Sequence, residues 1–211
     1  CTTHAKTFNG HTTVENFYDE KVVCFNVKNL TRKDSQVFDA QIYNALSICF
    51  DNCLANGSVM KELVREKKIA EEDIIHFLVL IDEAHLTINA NKTAGIEEVI
   101  RMVREFRKYF GGIGLASQSI RDFLPDQADA VAIDKMKALF ELITYKFMMM
   151  QDSSSIPKIR EAFQGSFSES EIETIPMLEQ GSCILSIAGD RNLQLNIRLQ
   201  DEEIYYFDGG R

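Results

Sequence analysis

From Ile75 to Ile81 the chain reads Ile-His-Phe-Leu-Val-Leu-Ile, and two adjacent acids, Asp82 and Glu83, follow at once. An apolar run with almost no alternation is the pattern of a strand covered on both faces, as strands of parallel sheets are. Parallel strands need long crossover connections, usually helices, so this one run already favours an α/β chain.

The remainder of the chain fits that frame. Residues 1–19 read as irregular, with a turn at Asn9-Gly10. Lys21–Val27 is rich in β-formers and predicts a short strand. Over 36–54 apolar residues recur at helical spacing (Phe38, Ile42, Leu46, Cys49, Phe50, Cys53), with the polar stretch Thr31–Ser35 placed to cap them. Asn56-Gly57 predicts a break or kink, after which 59–68 resumes as a charged helix, and Ala70–Asp73 is an acidic connection. An amphipathic helix is expected over Ile96–Phe110, its stripe formed by Ile96, Val99, Ile100, Val103, Phe106 and Phe110, with Gly111-Gly112 ending it. Ile113–Ala116 is a second small buried strand, followed by Ser117-Gln118-Ser119. A helix near 127–140, a strand over 142–149 and short helices at 156–163 and 168–174 come next, the last with Ser168 and Glu171 at capping-box spacing. Runs at 183–187 and 193–199 flank Gly189-Asp190-Arg191 as a hairpin. The alternation through residue 149 predicts one parallel sheet with helices on both faces. Phe147 and Met148–Met150 read as core or interface.

The totals narrow the function classes. A chain of 211 residues fits one α/β domain and can bury its own core. A formal charge of −9 argues against a broad basic surface for nucleic acid, while a local basic patch or pore remains compatible with it. Five cysteines lack any CxxC pair; Cys49 and Cys53 stand one turn apart, but His4, His11, His76 and His85 complete no ligand spacing, so free thiols in a reducing cytoplasm are expected. Neither 74–81 nor 142–150 reaches the length of a spanning helix. The chain opens without Met in a polar run, which is read as the start of a piece of a longer protein.

Two strand ends concentrate the chemistry. In an open parallel sheet, ligands bind at the carboxyl ends of the strands. Asp82 at such an end suits Mg²⁺, which prefers oxygen donors and keeps its waters. Glu83 beside it could polarise a water attacking a γ-phosphate. Two solvated acids at the end of a buried strand are the plainer alternative. About thirty residues on, after one helix, Gln118 at the next strand tip offers an amide that could contact the same water and phosphate, or simply cap a helix. His85 is expected to cap or pack.

FLVLIDEAH (77–85) resembles the Walker B segment of P-loop ATPases. Together with FRKYFGGIG (106–114), LASQSIRDF (115–123), FNGHTTV (8–14), KVVCFNVKNL (21–30) and the stretch from Leu178 to Ile204, it makes most of the chain resemble the VirB/TraE-type ATPase of type IV secretion and conjugation systems. That resemblance implies a RecA-like fold: α/β, a parallel sheet flanked by helices with a carboxy-terminal β-hairpin, one domain over 1–211 with a helical region at 36–70. It implies ATP and Mg²⁺ as cofactors, with Asp82 on the metal and Glu83 and Gln118 as catalytic groups. An arginine finger given in trans would come from Arg160, Arg191, Arg198 or Arg121. Arg104, Arg107 and Lys108 read as the charged face of their helix. It also implies self-association into a ring, inner-membrane secretion or conjugation components as partners, and a cytoplasmic position at the inner face of the membrane. One departure is large: no Gly-x-x-x-x-Gly-Lys-Ser/Thr occurs, so the phosphate loop is expected before Cys1 and this stretch alone is expected to be inactive. A DNA translocase or coupling ATPase of the FtsK/HerA type, and a non-catalytic docking module, are the alternative functions.

Overall fold

A parallel pair of strands, β1 (Phe77–Ile81) and β2 (Gly111–Leu115), forms the first sheet, with Phe77 opposite Gly111 and Ile81 opposite Leu115. The structure is a computed structural model that describes residues 17, 20–188 and 190–207. Cys1, His4, His11, the Asn9-Gly10 turn, the FNGHTTV segment and Gly189 lie outside the described residues. The chain divides into two compact units, one running through Ile88 and resuming over Glu97–Ser117, the other holding Asn89–Ile96 and the chain from Gln118 onward.

In the first unit α1 (Ser35–Arg65) starts at Asp34, whose side chain accepts the Gln36 N–H as an N-cap. Its apolar face meets α2 (Thr93–Phe106) and β1 in one cluster of Leu46, Phe50, Cys53, Val79, Met102 and Phe106. Burial pushes the Cys53 thiol up to about 11, so it sits there as a neutral apolar group. Arg101 lies over the Phe50 ring at 3.9 Å and Lys61 over Tyr109 at 4.0 Å, closing the edges of the cluster with cation–π contacts.

Four expectations are corrected here. Asn56-Gly57 does not break the helix: α1 runs through it, and Gly57 is buried where a Cβ would run into the Cβ and carbonyl oxygen of Tyr109. The glycine serves close packing rather than a turn. Gly111-Gly112 do not end α2, which passes into a 3₁₀ turn over Arg107–Tyr109 and stops at Phe110 in the left-handed conformation (φ 56°). Both glycines instead begin β2, and a Cβ on Gly111 would strike Cys53 Sγ. Lys21–Val27 is not a strand; it has no ladder partner among the described residues, and Val22 is 86% exposed. β1 is covered on one face only, with Val79 inward and Leu78 and Leu80 63% and 74% exposed, because α1 and α2 pack on a single side.

The second unit contains α3 (Ile120–Phe123), α4 (Ala130–Leu142), β3 (Tyr145–Met149), α5 (Ile156–Ala162), α6 (Glu169–Thr174), β4 (Ser182–Ile187), β5 (Asn192–Asn196) and α7 (Asp201–Phe207). The third strand departs from the expected parallel sheet. β3 pairs antiparallel with β4, and β4 with β5, in the order β3-β4-β5. The carboxy-terminal hairpin is present as expected, and so is the capping box, in which Ser168 Oγ accepts the Glu171 N–H while Glu171 accepts the Ser168 N–H. Alternation along β3 buries Lys146 and Met148 and exposes Tyr145, Phe147 and Met149, so only Met148 of the Phe147–Met150 run is core. Phe123, Phe140, Phe163 and Phe167 form a chain of ring contacts in this unit. The chain is therefore α/β, with a parallel pair, flanking helices and a carboxy-terminal antiparallel group.

Gly57→Ala is expected to destabilise the protein by about 1–3 kcal/mol, the usual cost of overpacking a core. Urea denaturation followed by circular dichroism checks this; an unchanged midpoint would show that α1 and the Arg107–Tyr109 turn are not in close contact.

Candidate functional site

The carboxyl ends of β1 and β2 are tied together by two backbone hydrogen bonds. Ala116 N–H donates to Ile81 O at 2.9 Å, and Ala84 N–H donates to Ala116 O at 2.8 Å. The first extends the parallel ladder past the strand ends and the second reaches Ala84, three residues beyond Ile81, so the Asp82–His85 segment and Ala116-Ser117 share one end of the sheet.

Asp82 is exposed at that end, and its Oδ1 accepts the Glu83 N–H at 2.9 Å. Glu83 stands in the left-handed region (φ 47°, ψ 45°), a conformation that costs a side-chain-bearing residue about 1–2 kcal/mol. A 3₁₀ turn over Ala84–Leu86 follows, and Ala84 is fully buried beneath it. Glu83 is half-buried; its Oε2 is buried and lies 3.3 Å from His85 Nδ1. The same Nδ1 is 3.1 Å from Ser117 Oγ, across 32 residues of sequence. Three side chains of the first unit, Glu83, His85 and Ser117, thus lie together, with Asp82 next to them in the chain. The contacts of His85 are what sequence reading missed: its place beside the acids was visible, but the hydroxyl facing it becomes evident only from the strand register.

Gln118 follows Ser117 in the chain and belongs to the second unit, where it is exposed and its carbonyl accepts from Gln151 Nε2 at 3.0 Å. The arginines named from sequence also lie in that unit. Arg121 Nη2 donates to Ser154 O at 2.9 Å, Arg160 pairs with Glu169 at 2.9 Å, Arg191 pairs with Asp190 at 3.1 Å, and Arg198 is exposed. Arg104, Arg107 and Lys108 are exposed in the first, the latter two on the 3₁₀ turn rather than on the helix. No group of three or more His, Cys, Asp and Glu side chains placed to hold a metal ion occurs among the described residues, and Cys24, Cys49, Cys53 and Cys183 are free thiols. A single exposed carboxylate with one oxygen engaged by the backbone fits Mg²⁺ that arrives with a phosphate ligand, since such ions take one or two carboxylates and fill their shell with water and phosphate.

No family model matches the chain. An uncharacterized protein of Bacillus anthracis is 33% identical over 210 residues, which is all of this chain and 33% of that protein. The structure of VirB4 of Thermoanaerobacter pseudethanolicus superposes with a TM-score of 0.64 at 22% identity, over 86% of this chain and 43% of VirB4. The chain thus has the fold of part of VirB4, and it spans a third of the length of the curated relative. A genome packaging NTPase of Sulfolobus turreted icosahedral virus 2, solved with AMPPCP, gives a TM-score of 0.45 at 12% identity over 68% of this chain and 63% of its own, too loose to build on.

Glycine and alanine at position 83 both remove the Glu83 carboxylate, so the difference between them reads the backbone there. Glu83→Gly is expected to be more stable than Glu83→Ala by about 1 kcal/mol, because only glycine adopts φ near +50° without steric cost. Denaturant titration of the two variants checks the order; the reverse order would place Glu83 outside the left-handed region.

Proposed function

We propose that residues 1–211 are the carboxy-terminal part of a motor ATPase that drives type IV secretion or conjugative transfer, with its phosphate-binding loop supplied by chain outside this stretch. The observation that carries the reading is the placement of Asp82 and Glu83 at the carboxyl end of β1, hydrogen-bonded to the tip of parallel β2, in a chain with the fold of part of VirB4.

In this reading Asp82 offers its free carboxylate oxygen to Mg²⁺, directly or through water. When bound there with ATP, Mg²⁺ would supply positive charge to offset the charge that develops on the phosphate. Glu83 polarises the attacking water and takes its proton, while the buried side of its carboxylate is turned toward His85. Gln118 is given the sensor role on the strength of the family resemblance. One of Arg160, Arg191, Arg198 and Arg121 would serve a neighbouring subunit of a ring. The pairs of Arg160 and Arg191 are exposed, and exposed ion pairs are weak enough to release their arginines. Inner-membrane secretion components would be the partners, and the inner face of the membrane the location. No helix among the described residues is long and apolar enough to cross a membrane. Without Gly-x-x-x-x-Gly-Lys-Ser/Thr, residues 1–211 alone lack the group that cradles the β- and γ-phosphates.

The intact protein carrying this stretch is expected to release phosphate from ATP only with Mg²⁺ present. Glu83→Gln should lower kcat at least about a hundredfold while nucleotide binding persists. Asp82→Asn should raise the Mg²⁺ concentration needed for half-maximal rate. Residues 1–211 by themselves should show no turnover. Wild-type turnover in Glu83→Gln would refute the reading.

A further inference from the structure

We propose that Gln151 is the positioning residue for Gln118: its side-chain amide clasps the Gln118 carbonyl and so fixes where that residue stands. The proposal rests on the ATPase reading and on the sensor part given to Gln118 in it.

Gln118 lies in the bend before α3, which starts at Ile120. Gln151 follows β3, which ends at Met149. Its Nε2 donates to the Gln118 carbonyl oxygen at 3.0 Å and to the Met150 carbonyl oxygen at 3.2 Å. A carbonyl only accepts, and an amide nitrogen carries two hydrogens, so the nitrogen end of the Gln151 amide is the end that can serve both. The contact is one of a series. Arg121 Nη2 donates to the Ser154 carbonyl oxygen at 2.9 Å, and Lys158 Nζ lies 3.4 Å from Asp126 Oδ1. Gln118 and Gln151 are 33 positions apart, as are Arg121 and Ser154, and Asp126 and Lys158 keep nearly the same offset. Two segments of the second unit, 118–126 and 151–158, are therefore laced side by side, running in the same direction. The grip is mutual: Gln151 reaches the main chain of the first segment, and Arg121 reaches the main chain of the second. Local caps stiffen both, since Ser119 Oγ accepts the Arg121 N–H at 3.2 Å and Asp152 Oδ1 accepts the Ser154 N–H at 2.8 Å.

A peptide unit is planar, so holding its carbonyl fixes the plane and with it the direction in which the Gln118 side chain leaves the backbone. An amide that must meet both a water and a phosphate depends on that direction. A misplacement of about 1 Å can lower a rate on the order of a hundredfold. Gln151 acts through Gln118 and takes no part of its own in the reaction.

The test uses the intact protein carrying this stretch, with kcat and KM for Mg²⁺-ATP measured for Gln151→Met, Gln151→Lys, Gln118→Ala, the double variant Gln118→Ala with Gln151→Met, and Glu83→Gln. Methionine keeps the length of the side chain and removes the donor, whereas lysine keeps a donor. Gln151→Met is expected to lower kcat about three- to thirtyfold with KM within about twofold of wild type, and Gln151→Lys should recover most of that loss. Gln118→Ala keeps the main-chain carbonyl that Gln151 holds, so a merely structural clasp would lose as much in that background as in wild type. Positioning predicts the opposite: once the Gln118 side chain is gone, Gln151→Met should change kcat by less than about twofold. If Gln151→Met does not fold, Gln151→Glu, whose carboxylate cannot donate to a carbonyl, takes its place; failure of both to fold overturns the proposal in favour of a structural role. Wild-type kcat in Gln151→Met, multiplied losses in the double variant, or wild-type kcat in Gln118→Ala overturns the positioning role while leaving the reading of the two acids intact. Full hydrolysis by Glu83→Gln overturns both.

Discussion

The hydrogen bonds that cross the ends of β1 and β2 hold the whole candidate site together. Ala116 donates to Ile81 and Ala84 donates to Ala116, so both strands are fixed in depth as well as in register. Residues more than thirty positions apart then meet with no covalent or metal link. A two-stranded sheet is weak by itself, and its stability comes from what packs on it. Here that is one face of Phe77, Val79, Ile81 and Ile113 laid on α1 and α2. The chemistry at the strand ends is therefore sustained by apolar contacts among Val79, Phe106, Met102 and Cys53 that take no part in it.

Close approach sets the geometry of that support. At Gly57 the helix lies so near Tyr109 that any side chain would collide, and at Gly111 the start of β2 lies against Cys53. Both glycines sit inside regular elements, where the residue lowers intrinsic stability. Backbone proximity compensates: it lets the Phe50, Phe77 and Phe106 rings fill the space between helix and sheet, with Phe50 and Phe106 stacked at 6.0 Å and Phe77 edge-on to Phe106 at 6.3 Å.

What could be read from the sequence follows from this distinction between local and tertiary causes. The capping box at Ser168, the hairpin of β4 and β5, the α2 stripe and the apolar run ending in Asp82-Glu83 were legible because each is determined within a few residues. Asn56-Gly57 and Gly111-Gly112 misled because turn chemistry and close packing call for the same residue, and only the neighbour, Tyr109 or Cys53, tells them apart. Lys21–Val27 has the composition of a strand, yet a strand exists only in a ladder, and none forms there among the described residues. β3 was legible as a strand, but neither its alternation nor its partner was, since antiparallel pairing with β4 is decided more than thirty residues away. At the site, the acids were visible from sequence and the His85–Ser117 contact was not, because it depends on register.

The turn at Glu83 also explains how two adjacent acids come to differ. Successive residues of a strand point to opposite faces, so an extended Asp-Glu pair would send its carboxylates apart. The left-handed step at Glu83 redirects the second side chain into the crook of the following turn, against His85, while Asp82 stays exposed at the strand end. The Asp82 carboxylate accepts the Glu83 N–H and so braces the step that separates them. One carboxylate is thereby open and partly engaged by the backbone, which suits an oxygen donor to a hydrated cation. The other is half-buried beside His85, surroundings that suit proton transfer. Backbone strain of this kind persists only where the surroundings over-determine it, and here the cross-strand bonds on either side of Glu83 supply that constraint.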